Sequence, residues 1–436
     1  MSIVVVGGGP AGVSCAVGLT RMGYPVQLIN SPRRFNSYEG ISPRVCRALV
    51  DAGLQRAAAT VETPKLRQVE WGEEISRFNS ESVIDRRVFD LALLEDAAAH
   101  GVVIINGQVT KIETMRNGYV ISFESDSRQE KLQTFFLVEA RGRKAAYGRD
   151  KITGPGSVSL IAGWKSGVIL RSSILESLET GWMWANSTSD GFLYTQLSLD
   201  AASDFLKDLM EPAAYLDYLR KESKFFSKIC MAGIQSAQPV FARGSTPICS
   251  SAVGGPNWLK IGDAAMAVDP LSGNGIFQAL STSLQAPAVI NTLITRPKSS
   301  QLALDFHRDR IQHLFTRFAR VGRDFYRIGL QNNPNSDYWK ARSLWPDDVP
   351  LDTVINFKSI HITERGVVDH GLIKRARVVA SSEQPLGMWH LGGLELAPRV
   401  QRVLQGESLS SVVSDLEGDD SKRFKAWLRN QGYNGG

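Results

Sequence analysis

Cysteine is scarce in this chain: four residues among 436, Cys15, Cys46, Cys230 and Cys249. None falls in C-x-x-C spacing, so neither a disulfide framework nor a zinc site is indicated. Histidine is also rare. His307 and His313 lie six apart and do not share a tight helix face, so no metal pair is expected. No apolar run reaches the roughly 18 residues of a membrane span. The N-terminal MSIVVVGGGPAG lacks a charged leader and has too short an apolar run for a signal peptide, so the cytoplasm is the expected compartment. Blocks of like charge are missing too. The net charge is +6 and the pI near 9.1, but Lys and Arg are scattered, as on a solvated surface, and no nucleic-acid module is expected. Internal repeats and low-complexity tracts do not occur.

What is present is a globular composition, 43% hydrophobic and 22% charged, long enough for two or three domains. Residues 2–6, SIVVV, read as a buried parallel strand, and GGGPAG follows at once. Gly7, Gly9 and Gly12 fit G-x-G-x-x-G, with Gly8, Pro10 and Ala11 between them. A helix to Gly23 and a second strand, VQLIN, complete the strand–loop–helix–strand setting of a dinucleotide fingerprint. Gly7 permits the tight turn, Gly9 the close approach of a diphosphate, and Gly12 the helix–strand contact. The acidic residue expected at the end of the second strand is Asn30, which still accepts a hydrogen bond from a ribose hydroxyl.

The second organising stretch is GDAAMAVDPLSGNGI, 262–276. A carboxylate at a strand end, Asp263 after Gly262, can hold sugar or ribityl hydroxyls. Gly273-Asn274-Gly275 opens a helix whose backbone N–H groups suit an anion or an electron-rich ring edge.

Between these stretches, residues 83–101 form an amphipathic helix entered through an Arg-rich turn. Arg86 either points back to the phosphates or lies on the surface. Paired strands follow, with an inserted meander, and residues 150–250 read as a one-sided sheet. Trp182 and Trp184, two apart, share one strand face, either as core or as the aromatic wall of a substrate pocket. The last hundred residues read as helices joined at a Gly turn, with Ser408 or Ser410 as an N-cap. The expected fold is α/β: a doubly wound, Rossmann-like domain (1–150 and 250–300), an inserted, mostly antiparallel β-sheet substrate domain (151–250) and a helical C-terminal module (301–436).

Taken in order, GGGPAG, DRRVFD at 85–90, VEARGR at 138–143 and GDAAMAVDPLSGNGI resemble the FAD-dependent aromatic monooxygenases of the hydroxybenzoate-hydroxylase fold, a group that includes the tryptophan halogenases. Three departures from the halogenases argue for hydroxylation. W-M-W-A-N-S stands where they carry W-x-W-x-I-P, Arg67 before Trp71 where they carry lysine, and S-G-N-G in place of their F-x-S-S-G loop. Within the group, YEGISP at 38–43, the GWMW strand and the C-terminal module look most like the flavoproteins that mature tryptophylquinone enzymes, of the type serving quinohemoprotein amine dehydrogenase.

The resemblance implies FAD as cofactor and NAD(P)H as a transient reductant, since no second G-x-G-x-x-G is present. It implies hydroxylation of an aromatic ring through a flavin C4a-hydroperoxide, the ring being a tryptophan of a partner polypeptide bound through the C-terminal module. By the same match, Gly7, Gly9 and Gly12 hold the pyrophosphate, Arg86 approaches it, and Asp263 bonds the ribityl chain or pyrophosphate. Gly273–Gly275 line the pyrimidine edge of the ring, Pro270 shapes the loop over it, and Val109 joins the cofactor set. Asp269 and Glu39 are candidate bases by motif position. The alternatives are a hydroxylase of a small aromatic molecule, and a halogenase or a reductase on the same loops.

Overall fold

The computed structural model describes residues 2–33, 35–71, 74–145, 150–228, 236–351 and 356–433, and therefore leaves Cys230 outside the described residues. The chain forms two compact units, Met1–Pro287 with Leu314–Asp348, and Ala288–His313 with Val349–Gly436.

The first unit is built on β1 (Ile3–Val6), whose residues Ile-Val-Val-Val are wholly buried. A strand buried on both faces belongs inside a parallel sheet. β1 pairs in parallel with β2 (Val26–Asn30) and with Phe136–Glu139, in the register Ile3 opposite both Val26 and Phe136. The six-stranded order is 254–255, 258–260, 136–139, 3–6, 26–30, 103–106. Between β1 and β2 runs α1 (Pro10–Arg21), with Pro at its first position. There the missing N–H costs nothing. Cys15 on α1 is a free thiol, 0% exposed. The antiparallel meander 108–115, 118–125, 128–134 is inserted before the strand Phe136–Glu139. This is the doubly wound arrangement expected from the sequence.

A second, mostly antiparallel sheet carries strands 157–165, 172–178, 181–187 and 192–200. It also takes Tyr38–Ile41, Lys65–Trp71 and Glu74–Asp85. These three come from the stretch expected to serve the nucleotide-binding domain. Lys65–Trp71 joins through a parallel pairing with Ser172–Leu178. Sequence spacing could not reveal that pairing, because its two strands lie about a hundred positions apart.

The helix Ser300–Asn332 contributes to both units. Residues 314–348 pack with the first unit, so the expected 301–436 module differs from the observed division. The second unit is not purely helical. Its stretch after Val349 holds a hairpin, His361–Asp369 with Leu372–Ala380, and the helices Ala397–Leu404, Leu409–Val412 and Gly418–Asn430. Leu396, Val400, Val412, Phe424 and Leu428 form its core, and Ser408 is the N-cap, accepting from the Ser411 N–H. Among the described residues, no helix is long and apolar enough to cross a membrane.

Candidate active site

The early glycine loop is set by backbone crowding. A Cβ at Gly12 would lie 1.9 Å from the Gly7 carbonyl oxygen, and one at Gly7 (φ 118°) 2.3 Å from the Ala140 carbonyl oxygen. Under Gly8 lies the Asn30 side chain, whose Oδ1 would be 2.3 Å from an added Cβ. Gly9, the N-cap of α1, differs from its neighbours, because a Cβ there would meet nothing within 4 Å. The loop is thus closed toward the sheet and open above the helix N-terminus, where the N–H groups of the first turn favour an anion. This open cradle fits the diphosphate of a dinucleotide.

The late loop meets the early one. Gly262 (φ 56°) packs so closely that a Cβ would fall 2.6 Å from the Cβ of Ala11, and its N–H donates to Thr282 Oγ1 at 3.0 Å. Asp269 caps the turn Pro270–Ser272, accepting from the Leu271 N–H at 2.9 Å. Gly273 adopts φ 60°, a left-handed conformation that favours glycine. Asn274 is the N-cap of the helix Gly275–Ser283, which packs on α1.

Charged side chains surround this junction. Arg86, 5% exposed, is the first residue of the helix Arg86–Ala99 and is not on the surface. It donates to Glu39 at 2.8 Å and to Asp90 at 2.8 and 3.0 Å. Glu39 also accepts from Arg243 at 2.9 Å, and Asp90 from Arg33 at 2.5 Å. Three guanidiniums against two carboxylates leave one positive charge in the group. Burial alone would raise the Glu39 carboxyl, but Arg86, Arg243 and Arg33 outweigh it and hold Glu39 well below the usual carboxylate range. A carboxylate fixed as an anion is a poor proton acceptor near neutrality. In this arrangement Glu39 anchors the ion pairs of Arg86 and Arg243. Asp263 stands 3.8 Å from Arg143 Nε, its carboxyl pushed up by burial against the opposing pull of Arg143 and Arg243. Arg143, the last residue of VEARGR, donates to the carbonyls of Thr246 and Val268 and so ties the late loop in place.

Trp182 and Trp184 are 1% and 8% exposed, in one cluster with Trp71, Leu271, Tyr326, Tyr338 and Trp339. Trp182 Nε1 donates to Tyr326 Oη at 3.2 Å, and Tyr326 Oη to Asp269 Oδ2 at 3.0 Å. Burial raises the Asp269 carboxyl, against the lowering pull of the Leu271 N–H and Arg342. Tyr326 and Trp339 belong to the stretch expected in the C-terminal module, so the contact of Tyr326 with Asp269 and the place of Trp339 in this cluster were not foreseen. Val109 is half-buried in the first strand of the meander, packed with Tyr119, Ile121 and Phe123 and paired with Phe123.

One polar group was missed altogether. Glu81, 7% exposed, accepts from Trp184 Nε1 at 2.7 Å and lies 3.9 Å from Arg67 Nε. A Cβ at Gly40 would come 2.7 Å from Glu81 Oε2, and one at Gly273 3.2 Å from Arg67 Nη1. Arg67, noted only as a departure from a halogenase lysine, thus abuts the ring-edge loop. Among the described residues no group of three His, Cys, Asp or Glu is arranged to hold a metal.

No family model matches the chain. Its structure is similar to that of QhpG, a peptidyl tryptophan dihydroxylase essential for tryptophylquinone cofactor biogenesis, with a TM-score of 0.83 and 41% identity over 99% of each chain. CmlS, a flavin-dependent halogenase, shares the fold at 16% identity, with a TM-score of 0.78 over 98% of this chain and 92% of its own. The tryptophan 2-halogenase of Chondromyces crocatus is 23% identical over 401 residues, 85% of this chain and 76% of the halogenase. Fold and loops together define an FAD-dependent oxidoreductase of the aromatic monooxygenase and halogenase superfamily. Within that class, the chain belongs to the family of the peptidyl tryptophan dihydroxylase QhpG.

Proposed function

We propose that this chain hydroxylates a tryptophan side chain of a partner polypeptide during tryptophylquinone biogenesis. The observation that carries this reading is its 41% identity with QhpG across 99% of both chains. Gly7, Gly9, Gly12 and the start of α1 would hold the FAD diphosphate, Asp263 the ribityl chain, and Gly273–Gly275 the pyrimidine edge of the ring. Bound there, FAD supplies the redox chemistry that joins NAD(P)H and molecular oxygen to substrate oxygenation.

The protein's own part is placement and exclusion of water. The close-packed wall of Trp71, Trp182, Trp184 and Trp339 keeps the ring side dry, which limits wasteful release of peroxide. Asp269, buried and raised, is suited to hold a proton at its carboxyl, and Tyr326 fixes its orientation. The unit containing Val349–Gly436 is proposed to receive the polypeptide. Three free cysteines, Cys15, Cys46 and Cys249, support a reducing compartment, the cytoplasm.

The test is mass spectrometry of tryptophan-bearing polypeptides and of small aromatic molecules after incubation with enzyme, NAD(P)H and isotopically labelled oxygen. Two labelled oxygens on a polypeptide tryptophan are expected. Label only on small molecules, or halide incorporation when halide is supplied, would overturn the reading.

A further inference from the structure

Arg67 occupies an unusual position. The register of the hairpin formed by Lys65–Trp71 and Glu74–Asp85 shifts between Leu66 and Gln68, so that Arg67 alone stands opposite two residues of the bulged partner strand. Bulges re-aim side chains, often beside active sites. The Arg67 side chain, facing that bulge, is only 16% exposed. Its guanidinium makes no hydrogen bond among the described residues, and its buried Nε, though 3.9 Å from Glu81 Oε2, has no hydrogen-bond partner. Leaving a buried donor unsatisfied costs about 1–3 kcal/mol, more for a charged group, so such a donor is retained where a ligand completes it.

The neighbours say what kind of ligand. On one side is Gly273 of the ring-edge loop. On the other is Glu81, with one oxygen engaged by the Trp184 indole N–H at 2.7 Å. Its second oxygen, Oε2, lies 3.9 Å from Arg67 Nε and accepts no hydrogen bond among the described residues. An open acceptor therefore stands beside a set of open donors, next to the loop assigned to the flavin ring. The complementary ligand offers one N–H donor and one oxygen acceptor side by side. An unmodified indole offers only the donor, whereas an indole that has gained one hydroxyl offers both.

We propose that Glu81 and Arg67 form the binding site for the singly hydroxylated tryptophan ring: Glu81 Oε2 accepts the indole N–H and Arg67 donates to the new oxygen, holding the ring for a second oxygenation. This rests on the hydroxylase reading given above.

The test is calorimetric titration of the flavin-loaded enzyme with N-acetyltryptophanamide and with its ring-hydroxylated counterpart. A charge-assisted hydrogen bond gives the wild type a preference for the hydroxylated probe of roughly tenfold or more. Arg67→Gln should abolish that preference while retaining bound flavin, and Arg67→Lys, which keeps charge but not the fork, should retain part of it. With a polypeptide substrate, Arg67→Gln should stop at one added oxygen. A wild type without preference, or variants that keep it and still add two oxygens, would overturn the inference. A wild type that oxygenates no tryptophan at all would remove the parent reading and this inference with it.

Discussion

Gly262 and Ala11 touch across the junction of two loops some 250 positions apart in the chain: a methyl group on Gly262 would sit 2.6 Å from the Ala11 side chain. The contact brings the end of the strand Trp258–Lys260 to the first turn of α1. One cofactor can therefore be gripped by both loops, and each glycine on the way has a different reason to be glycine.

That difference is testable at Gly9 and Gly12. Gly9→Ala adds a methyl group that meets no protein atom, so melting temperature should change little while FAD affinity falls, because the methyl enters the diphosphate cradle. Gly12→Ala drives a methyl to 1.9 Å from a backbone oxygen and should cost both stability and flavin. Thermal melts together with the flavin absorbance of purified protein separate the two effects. Full flavin in Gly9→Ala would place the diphosphate elsewhere.

The Glu39 clamp has a pH signature. Its carboxyl is depressed in the folded chain, so its stabilising contribution is complete above the ordinary glutamate pKa, roughly 4.3. That contribution is lost as pH falls below it toward the folded value. Glu39→Gln should therefore be less stable than wild type at neutral pH and lose less on acidification. Urea titrations at pH 7 and at about pH 3 check this, and parallel pH curves for the two proteins would contradict it.

Asp85 caps the helix Arg86–Ala99, accepting from the N–H groups of Arg87 at 2.8 Å and Val88 at 3.4 Å. Asp85→Ala should destabilise by about 0.5–2 kcal/mol. It should also loosen Arg86, the next residue, so flavin affinity should fall in step with stability. Denaturant midpoints and flavin titration on the same preparation test the coupling.

Gly329 and Trp339 are matched in shape. A Cβ at Gly329 would lie 2.2 Å from the indole ring of Trp339, which is 0% exposed. Gly329→Ala should cost about 1–3 kcal/mol by overpacking, and Trp339→Ala about 3–5 kcal/mol by leaving a cavity. In the double variant the added methyl group no longer meets the indole, so its cost should be smaller than the sum. Chemical denaturation of all three provides the cycle.

The glycine loops were legible because their constraints are local: a tight turn, a helix start and a buried strand lie within a dozen residues. The ion pair of Glu39 with Arg243 was not legible, because no sequence spacing connects the two. Tyr326 and Trp339 stood in a stretch whose helical spacing gave no sign that it packs beside Asp269. Glu81 carries no motif. Its importance comes from the pairing of Lys65–Trp71 with Glu74–Asp85, which sets it beside Arg67 and beneath Gly40.

Cys15 points inward from the helix that carries the early loop, and burial pushes its thiol far above the ordinary range. The thiolate is the reactive species, so an alkylating reagent can reach this sulfur only when α1 lifts off its sheet. Half-buried Cys46 offers an internal reference on the same molecule. The ratio of their labelling rates is thus a clock for how often the nucleotide-binding layer opens, readable without any flavin signal.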